Sequence, residues 1–384
     1  MDRKIEQKDI KIASKTEDFT LKLRLFGHGH DDWTDRFNNT IVPFFLIVFA
    51  VFTGAEHHLS GPPIHCWCPA EFTDWYVEYV NYLCWIRNTY YSPLNHPITE
   101  EARENEIVYY QWVPIMLVIM ALLFKIPSIL WRLFHKSSGI QLDMISQRAA
   151  DTQTMSWDER NKTVKNIAHI FQRWERIRIS LNKKPMFLER LTSKRSGNYL
   201  ASLYIIKKCL YCANAIGQFF LLDEFLGHDF YLQYGRDIFD DTVRNGTVSL
   251  ARFPRVTMCD VHIRQLQNLL RWTVQCVLPL NMYNEKIFVF LWFLCGVVSF
   301  LTCTSLLIWI WRLAIPRNRI AYIKKFLVNC EGNSKDPRND KHIQSFIQKE
   351  LRLDGIFALW MMERNTGGVF VNDLVKELWN MYDK

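Results

Sequence analysis

The stretch YYQWVPIMLVIMALLFKIPSILWRLF, residues 109–134, decides how this chain is read. Its only charged residues are Lys125 and Arg132. A helix of roughly 20 mostly apolar residues crosses about 30 Å of hydrocarbon, and lipid accepts it because its backbone hydrogen bonds close internally. The polar aromatics at its start suit that solvent. Tyr109, Tyr110 and Trp112 carry apolar rings with polar tips, which marks them as interfacial anchors at the headgroup boundary. Pro114 lacks a backbone N–H and is expected to bend the helix just inside the membrane.

Three other windows have the same character: 37–56 (FNNTIVPFFLIVFAVFTGAE), 199–222 (YLASLYIIKKCLYCANAIGQFFLL) and 287–312, which begins IFVFLWFLCGVVSF. The window at 199–222 holds Lys207 and Lys208, expected to reach toward the nearer interface or to face a wet interior. The fold class is therefore an all-α polytopic membrane protein with four transmembrane helices, and membrane lipids are its first partners. The mean hydropathy of −0.09 averages these blocks with highly charged ones. No cleavable signal peptide is read in the charged first 36 residues, so membrane insertion depends on the first span.

Cations in the flanks set the orientation. The loop 135–198 carries Lys136, Arg148, Arg160, Lys162, Lys165, Arg173 and further cations, whereas 57–108 is acidic, with Glu71, Asp74, Glu78, Glu100 and Glu101. Spans two and four both end on a Trp followed by a cation, in LWRLFHK (130–136) and IWRLAIPRNR (310–319). The middle loop and both termini are thus expected in the cytoplasm. The net charge of +8 reads as this cytoplasmic bias, with no nucleic-acid partner. The organisation is a cytoplasmic N-terminal segment (1–36), span one (37–56), extracellular loop one (57–108), span two (109–134), a cytoplasmic loop (135–198), span three (199–222), extracellular loop two (223–286), span four (287–312) and a cytoplasmic C-terminal region (313–384). Helical spacing in VKNIAHIFQRWERIRISL (164–181) and HIQSFIQKELRLDGIFALWMMERN (342–365) makes the cytoplasmic domain mainly helical.

Cysteines follow the same topology. Cys66, Cys68, Cys84, Cys259 and Cys276 fall in the outer loops, and Cys330 alone falls in a cytoplasmic segment. An oxidising exterior favours disulfides within and between those loops. Five is odd, so one thiol of Cys66 or Cys68 is left over, or the two alternate. A zinc site is disfavoured because Cys66-x-Cys68 lacks the usual two-residue spacer. Cys209-x-x-Cys212 lies in a span without a βαβ context and reads as packing. His57, His58 and His65 read as loop histidines. No nucleophile elbow, phosphate loop or dinucleotide fingerprint is present, so no enzyme, cofactor or metal is expected. The NGT triplet at 245–247 makes Asn245, in extracellular loop two, a possible glycosylation site.

The residues resemble a family. YYQWVP (109–114), the loop-one pattern CWCP (66–69) followed by Cys84, the loop-two pattern FPRVTMCD (253–260) followed by Cys276, PLNMYNEKIFVFLWF (279–293) and LDGIFALWMMERNTG (353–367) occur in the order seen in innexins, the invertebrate gap-junction channel subunits. The resemblance covers nearly the whole chain. It implies crosswise disulfides Cys66–Cys276 and Cys84–Cys259 bracing the two extracellular loops, with Cys68 as the extra thiol. It also implies a ring of the same or related innexin subunits, an octamer, in the plasma membrane at cell-cell junctions. Two such hemichannels would dock across apposed membranes and pass ions and small solutes. The N-terminal segment would fold into the pore entrance, and Glu56 is the pore-lining candidate at the outer end of span one. Two alternatives remain open: a non-junctional hemichannel that releases solutes, and an adhesion subunit with little conductance.

Overall fold

The computed structural model describes residues 32–59, 62–92, 97–104, 106–135, 139–140, 142–152, 155–180, 197–226, 235, 253–327 and 340–383. Four of its helices are long and apolar enough to cross a membrane: Trp33–Ala55, Val113–His135, Tyr199–Phe225 and Leu280–Ala314. In chain order the first comprises α1 (Trp33–Arg36), a π turn (Phe37–Ile41) and α2 (Val42–Leu59). Then follow β1 (His65–Trp67), α3 (Asp74–Arg87), β2 (Thr89–Tyr90), α4 (Glu100–Glu104), β3 (Glu106–Ile107) and α5 (Val113–His135). Next come α6 (Leu142–Asp151), α7 (Trp157–Ser180), α8 (Tyr199–Phe225), β4 (Val256–Gln265) and β5 (Asn268–Val277). The chain ends with α9 (Leu280–Ala314), α10 (Pro316–Leu327), α11 (Asp340–Phe346), a second π turn (Ile347–Leu351), α12 (Arg352–Thr366) and α13 (Gly368–Asp383).

The chain divides into two compact units. One comprises Met1–Thr40, Lys125–Cys212 and Leu301–Lys384; the other comprises Ile41–Phe124 and Ala213–Phe300. In the first unit, α6, α7 and α10–α13 bury one continuous apolar core with the adjoining stretches of α5, α8 and α9. Trp131, Tyr204, Trp309 and Phe357 interlock at its aromatic centre, with Trp131–Tyr204 and Tyr204–Trp309 centroids 5.6 and 4.9 Å apart. Edge-to-face packing of this kind adds to the area each ring removes from solvent. Arg160 ties α7 to α13 through Asp373 at 2.6 Å.

Two polar devices let the apolar helices carry groups that a purely hydrophobic pattern would exclude. Pro43 has no N–H to offer the Asn39 carbonyl, and the Lys125 ammonium donates to that oxygen instead. Lys207 and Lys208 depart from the expectation of snorkelling or a wet lumen. Their side chains are 2% and 0% exposed and pair with Asp35, at 3.0 and 2.6 Å. A buried ammonium without a counter-charge would be far too costly to keep, so the acids of α1 supply one.

In the second unit five strands form an antiparallel sheet in the order β1-β5-β4-β2-β3. The sequence reading assigned no secondary structure to the outer loops that form it. β4 and β5 form the hairpin that organises it, in register from Val256↔Val277 to Gln265↔Asn268. In the same unit α9 begins at Leu280, earlier than the apolar run at 287 suggested. Two polar residues of that extension are buried and find partners: Asn281 donates to the Pro254 carbonyl at 2.8 Å, and Glu285 lies 3.4 Å from Arg255.

Candidate functional site

The candidate site is the sheet and the helix that packs on it. α3 turns one face inward, where Val80 and Cys84 are fully buried, and Asn81 accepts a hydrogen bond from the Cys66 N–H at 2.8 Å. Among the described residues the core beneath is small: Ile64, Cys66, Val80, Cys84, Tyr110, Cys259, Val261, Val274, Cys276 and Leu278, with Phe72, Leu83 and Trp85 among the half-buried residues packed against it. So few apolar residues cannot hold this many loop segments alone, and covalent links take up the load. Cys66 on β1 is bonded to Cys276 directly opposite on β5, and Cys84 on α3 is bonded to Cys259 on β4. Each bond joins the segment between the first two spans to the segment between the last two, across 210 and 175 residues of chain. In the chain-entropy account, closing one loop of that size is worth about 5 kcal/mol, and the second, nested bond less.

Cys68 is a free, half-buried thiol whose sulfur lies 3.7 Å from the Cys66 carbonyl oxygen. Burial raises its pKa, which lowers its thiolate fraction. The sulfurs of Cys66, Cys84 and Cys276 lie within 4.8 Å of one another, but all three are in disulfides, so they offer no thiolate set to a metal. In the other unit, Cys212 lies beside Cys303, with the sulfurs 2.6 Å apart.

Asp260 on β4 is the polar centre of the sheet. It accepts hydrogen bonds from Arg271 and Thr273 on β5, both at 2.6 Å, and from the Tyr90 hydroxyl on β2 at 3.3 Å; Arg103 on α4 lies 3.3 Å away. Burial works to raise its pKa, but Arg271, Thr273 and Arg103 outweigh that and hold it below the usual carboxylate value. The hairpin then runs beyond its neighbours. β1 flanks β5 only from Gln275 to Val277, and β2 flanks β4 only at Met258. From Cys259 and Val274 outward it is two-stranded, ending in a tight turn at Leu266, which is 99% exposed with φ of 54°. A bulky residue rarely adopts that backbone, and it rarely stands fully in water.

The stretch YYQWVP meets this domain rather than preceding a uniform helix. Tyr109–Gln111 form a 3-10 turn, and α5 starts at Val113. Tyr110 does not stand at the surface: it is buried in the small core, 4.8 Å from the Trp85 ring, with its hydroxyl donating to the Trp85 carbonyl. Tyr109 packs edge-on to Phe253 at 5.3 Å, and Gln111 donates to the Trp85 carbonyl. Trp112 alone of the aromatics is exposed. Pro114 occupies the first turn of α5, where its missing N–H breaks no intrahelical hydrogen bond; the proline inside the helix is Pro127. The backbone of Glu56 belongs to α2, while its side chain, Asn245, Cys330 and residues 1–31 lie outside what is described.

The family model for innexins matches residues 31–382. The chain is 36% identical over 363 residues to "Innexin unc-9" of Caenorhabditis elegans, covering 92% of this chain and 93% of that protein. It is 33% identical to "Innexin-19" of Caenorhabditis briggsae (92% and 87% covered) and 30% identical to "Innexin-11" of Caenorhabditis elegans (92% and 79%). The chain belongs to the innexin family. This innexin is therefore a multi-pass membrane protein of a channel family, and a gap-junction channel subunit.

Proposed function

We propose that this innexin assembles as an eight-membered ring in the plasma membrane, with both termini cytoplasmic, and that two rings in apposed membranes dock through the sheet. The observation that carries the reading is the hairpin β4–β5, pinned at its base by both disulfides and ending in the exposed, positive-φ Leu266. A docking surface must keep its shape in water before a partner arrives, and ordering it beforehand lowers the entropic cost of association. A covalently braced sheet meets that requirement where a small apolar core could not. Lipid surrounds the exposed apolar faces of the four long helices, such as Phe44, Val51, Leu122 and Phe300. The N-terminal segment and Glu56 line the wide path, and solutes pass by size and charge without a tight filter.

Recording from cell pairs tests this. Junctional current in pairs that both express the chain is the expected result. Current or dye uptake confined to single cells replaces docking with a hemichannel that releases solutes, and clustering without current replaces conduction with adhesion. In the same recordings Glu56→Gln is expected to change single-channel conductance; an unchanged value removes Glu56 from the lining.

A further inference from the structure

Where α1, α8 and α9 meet, a charge cluster lies buried at the start of the first span. Asp35 (1% exposed) accepts from Lys207 at 3.0 Å and from the Tyr204 hydroxyl at 3.0 Å, and its other oxygen lies 2.6 Å from Lys208. Lys208 also donates to Thr34 and Ser305, both at 2.9 Å, and lies 3.4 Å from Asp32. Asp32 caps α1 by accepting from the Trp33 N–H at 2.7 Å, and also accepts from the Trp309 indole at 3.0 Å. Burial alone would raise the Asp32 pKa, but Lys208, the Trp309 N–H and Arg364 hold it at about 2, so it is charged throughout the physiological range.

The balance of charge is informative. Among the described residues, Asp32 and Asp35 balance Lys207 and Lys208 in charge. Arg364 of α12 is a third cation, paired with Asp32 and stacked 5.5 Å over the Trp309 ring, and its side chain is 41% exposed. Of the side chains on Asp32 it is the most open to solvent. The same helix reaches the start of α8 by a second polar contact: Asp354, 1% exposed, accepts from the Ala201 N–H at 3.0 Å. α12 therefore holds both the start of the first span and the start of the third. A buried ionic cluster is poor value as simple glue, since apolar residues of the same volume often stabilise as well or better; its strength is that it fixes one arrangement.

We propose that the Asp32–Asp35–Lys207–Lys208 cluster is a latch that positions α1 at the start of the first span, and that Arg364 couples the C-terminal helix α12 to it, so that the cytoplasmic assembly sets channel opening. This rests on the gap-junction reading above. Arg364 is then the handle: a displacement of α12 acts on α1 through one exposed guanidinium without disturbing the neutral core. Lys207 and Asp35 act as positioning residues and do not touch the permeating solute.

Two measurements test it, one independent of conduction. In purified protein, Arg364→Gln is expected to speed amide exchange over residues 32–41 by about tenfold, the worth of one charge-assisted hydrogen bond, and to leave residues 256–277 unchanged. In cells with surface levels matched by biotinylation, Arg364→Gln shifts the voltage dependence of opening. Asp35→Asn shifts it further, and the charge-balanced pair Asp35→Asn with Lys207→Met shifts it less than Asp35→Asn alone. A merely structural cluster would lower surface abundance without altering gating in the protein that arrives. Unchanged exchange at 32–41, or wild-type gating in all three variants at matched abundance, overturns the proposal. Absence of wild-type current in paired and in single cells overturns the channel reading and the gating half with it, while the exchange measurement still decides the coupling.

Discussion

Two acidic centres organise this protein, and they are built on opposite terms. Asp260 in the sheet is surrounded by partners that water also reaches: the Arg271 side chain is 44% exposed and Asp260 itself 14%. Asp35 in the helical unit is 1% exposed and faces Lys207 at 2% and Lys208 at 0%. Around Asp260 the charges are screened and worth little each, and two disulfides carry the structure. Around Asp35 there is no covalent link among the described residues, and the ion pairs lie where removing one partner strands the other. The polar cluster is dispensable where covalent bonds already fix the shape, and decisive where they do not.

The largest expected effect comes from removing the covalent half of that contrast. Cys84→Ser with Cys259→Ser should cost about 2–5 kcal/mol and abolish junctional current, and a gel-mobility difference between reduced and unreduced protein should shrink accordingly. Next is the contact by which α12 reaches α8. Asp354→Ala removes the carboxylate that accepts from the Ala201 N–H and should cost about 1 kcal/mol in thermal unfolding, since the first turn of a helix loses a capping acceptor. Leu266→Asn separates shape from docking: asparagine tolerates positive φ, so the hairpin should gain about 1 kcal/mol while junctional current falls. If both rise, the tip is not a docking contact. The smallest effect is the titration of Asp260. Its folded pKa lies below the ordinary 3.8, so its contribution is complete above that value and is lost as the pH falls through the lower folded value. Exchange protection of β4 and β5 should therefore weaken on acidification below about pH 4, and Asp260→Asn should flatten that dependence by less than about 1 kcal/mol.

Much of the architecture was legible because lipid imposes a long, uninterrupted pattern. The apolar runs at 109–134, 199–222 and 287–312 each correspond to one helix, and the cysteine distribution pointed to links between the two outer segments. The sheet was not legible. β1, β2 and β3 are only two or three residues long, too short for a period-two pattern, and they exist because β4 and β5 provide edges to pair with. Lys207 and Lys208 looked like a blemish in a span because the aspartates that neutralise them stand more than 170 residues earlier, next to a different helix. Tyr110 misled in the other direction: its ring suits a membrane boundary equally well, and only the position of Trp85 decided that it belongs to a protein core.

By itself the sequence determined which segments can live in hydrocarbon, since hydrophobicity and length are local properties that the bilayer reads directly. It also determined, through ordered motifs, the family. Tertiary structure alone decided which charge neutralises which, where the polar extension of α9 is buried, and that Pro114 opens a helix while Pro127 lies within it. Those outcomes depend on which residues distant in the chain meet in space, and no local pattern encodes the energy of a pair until both partners are in place.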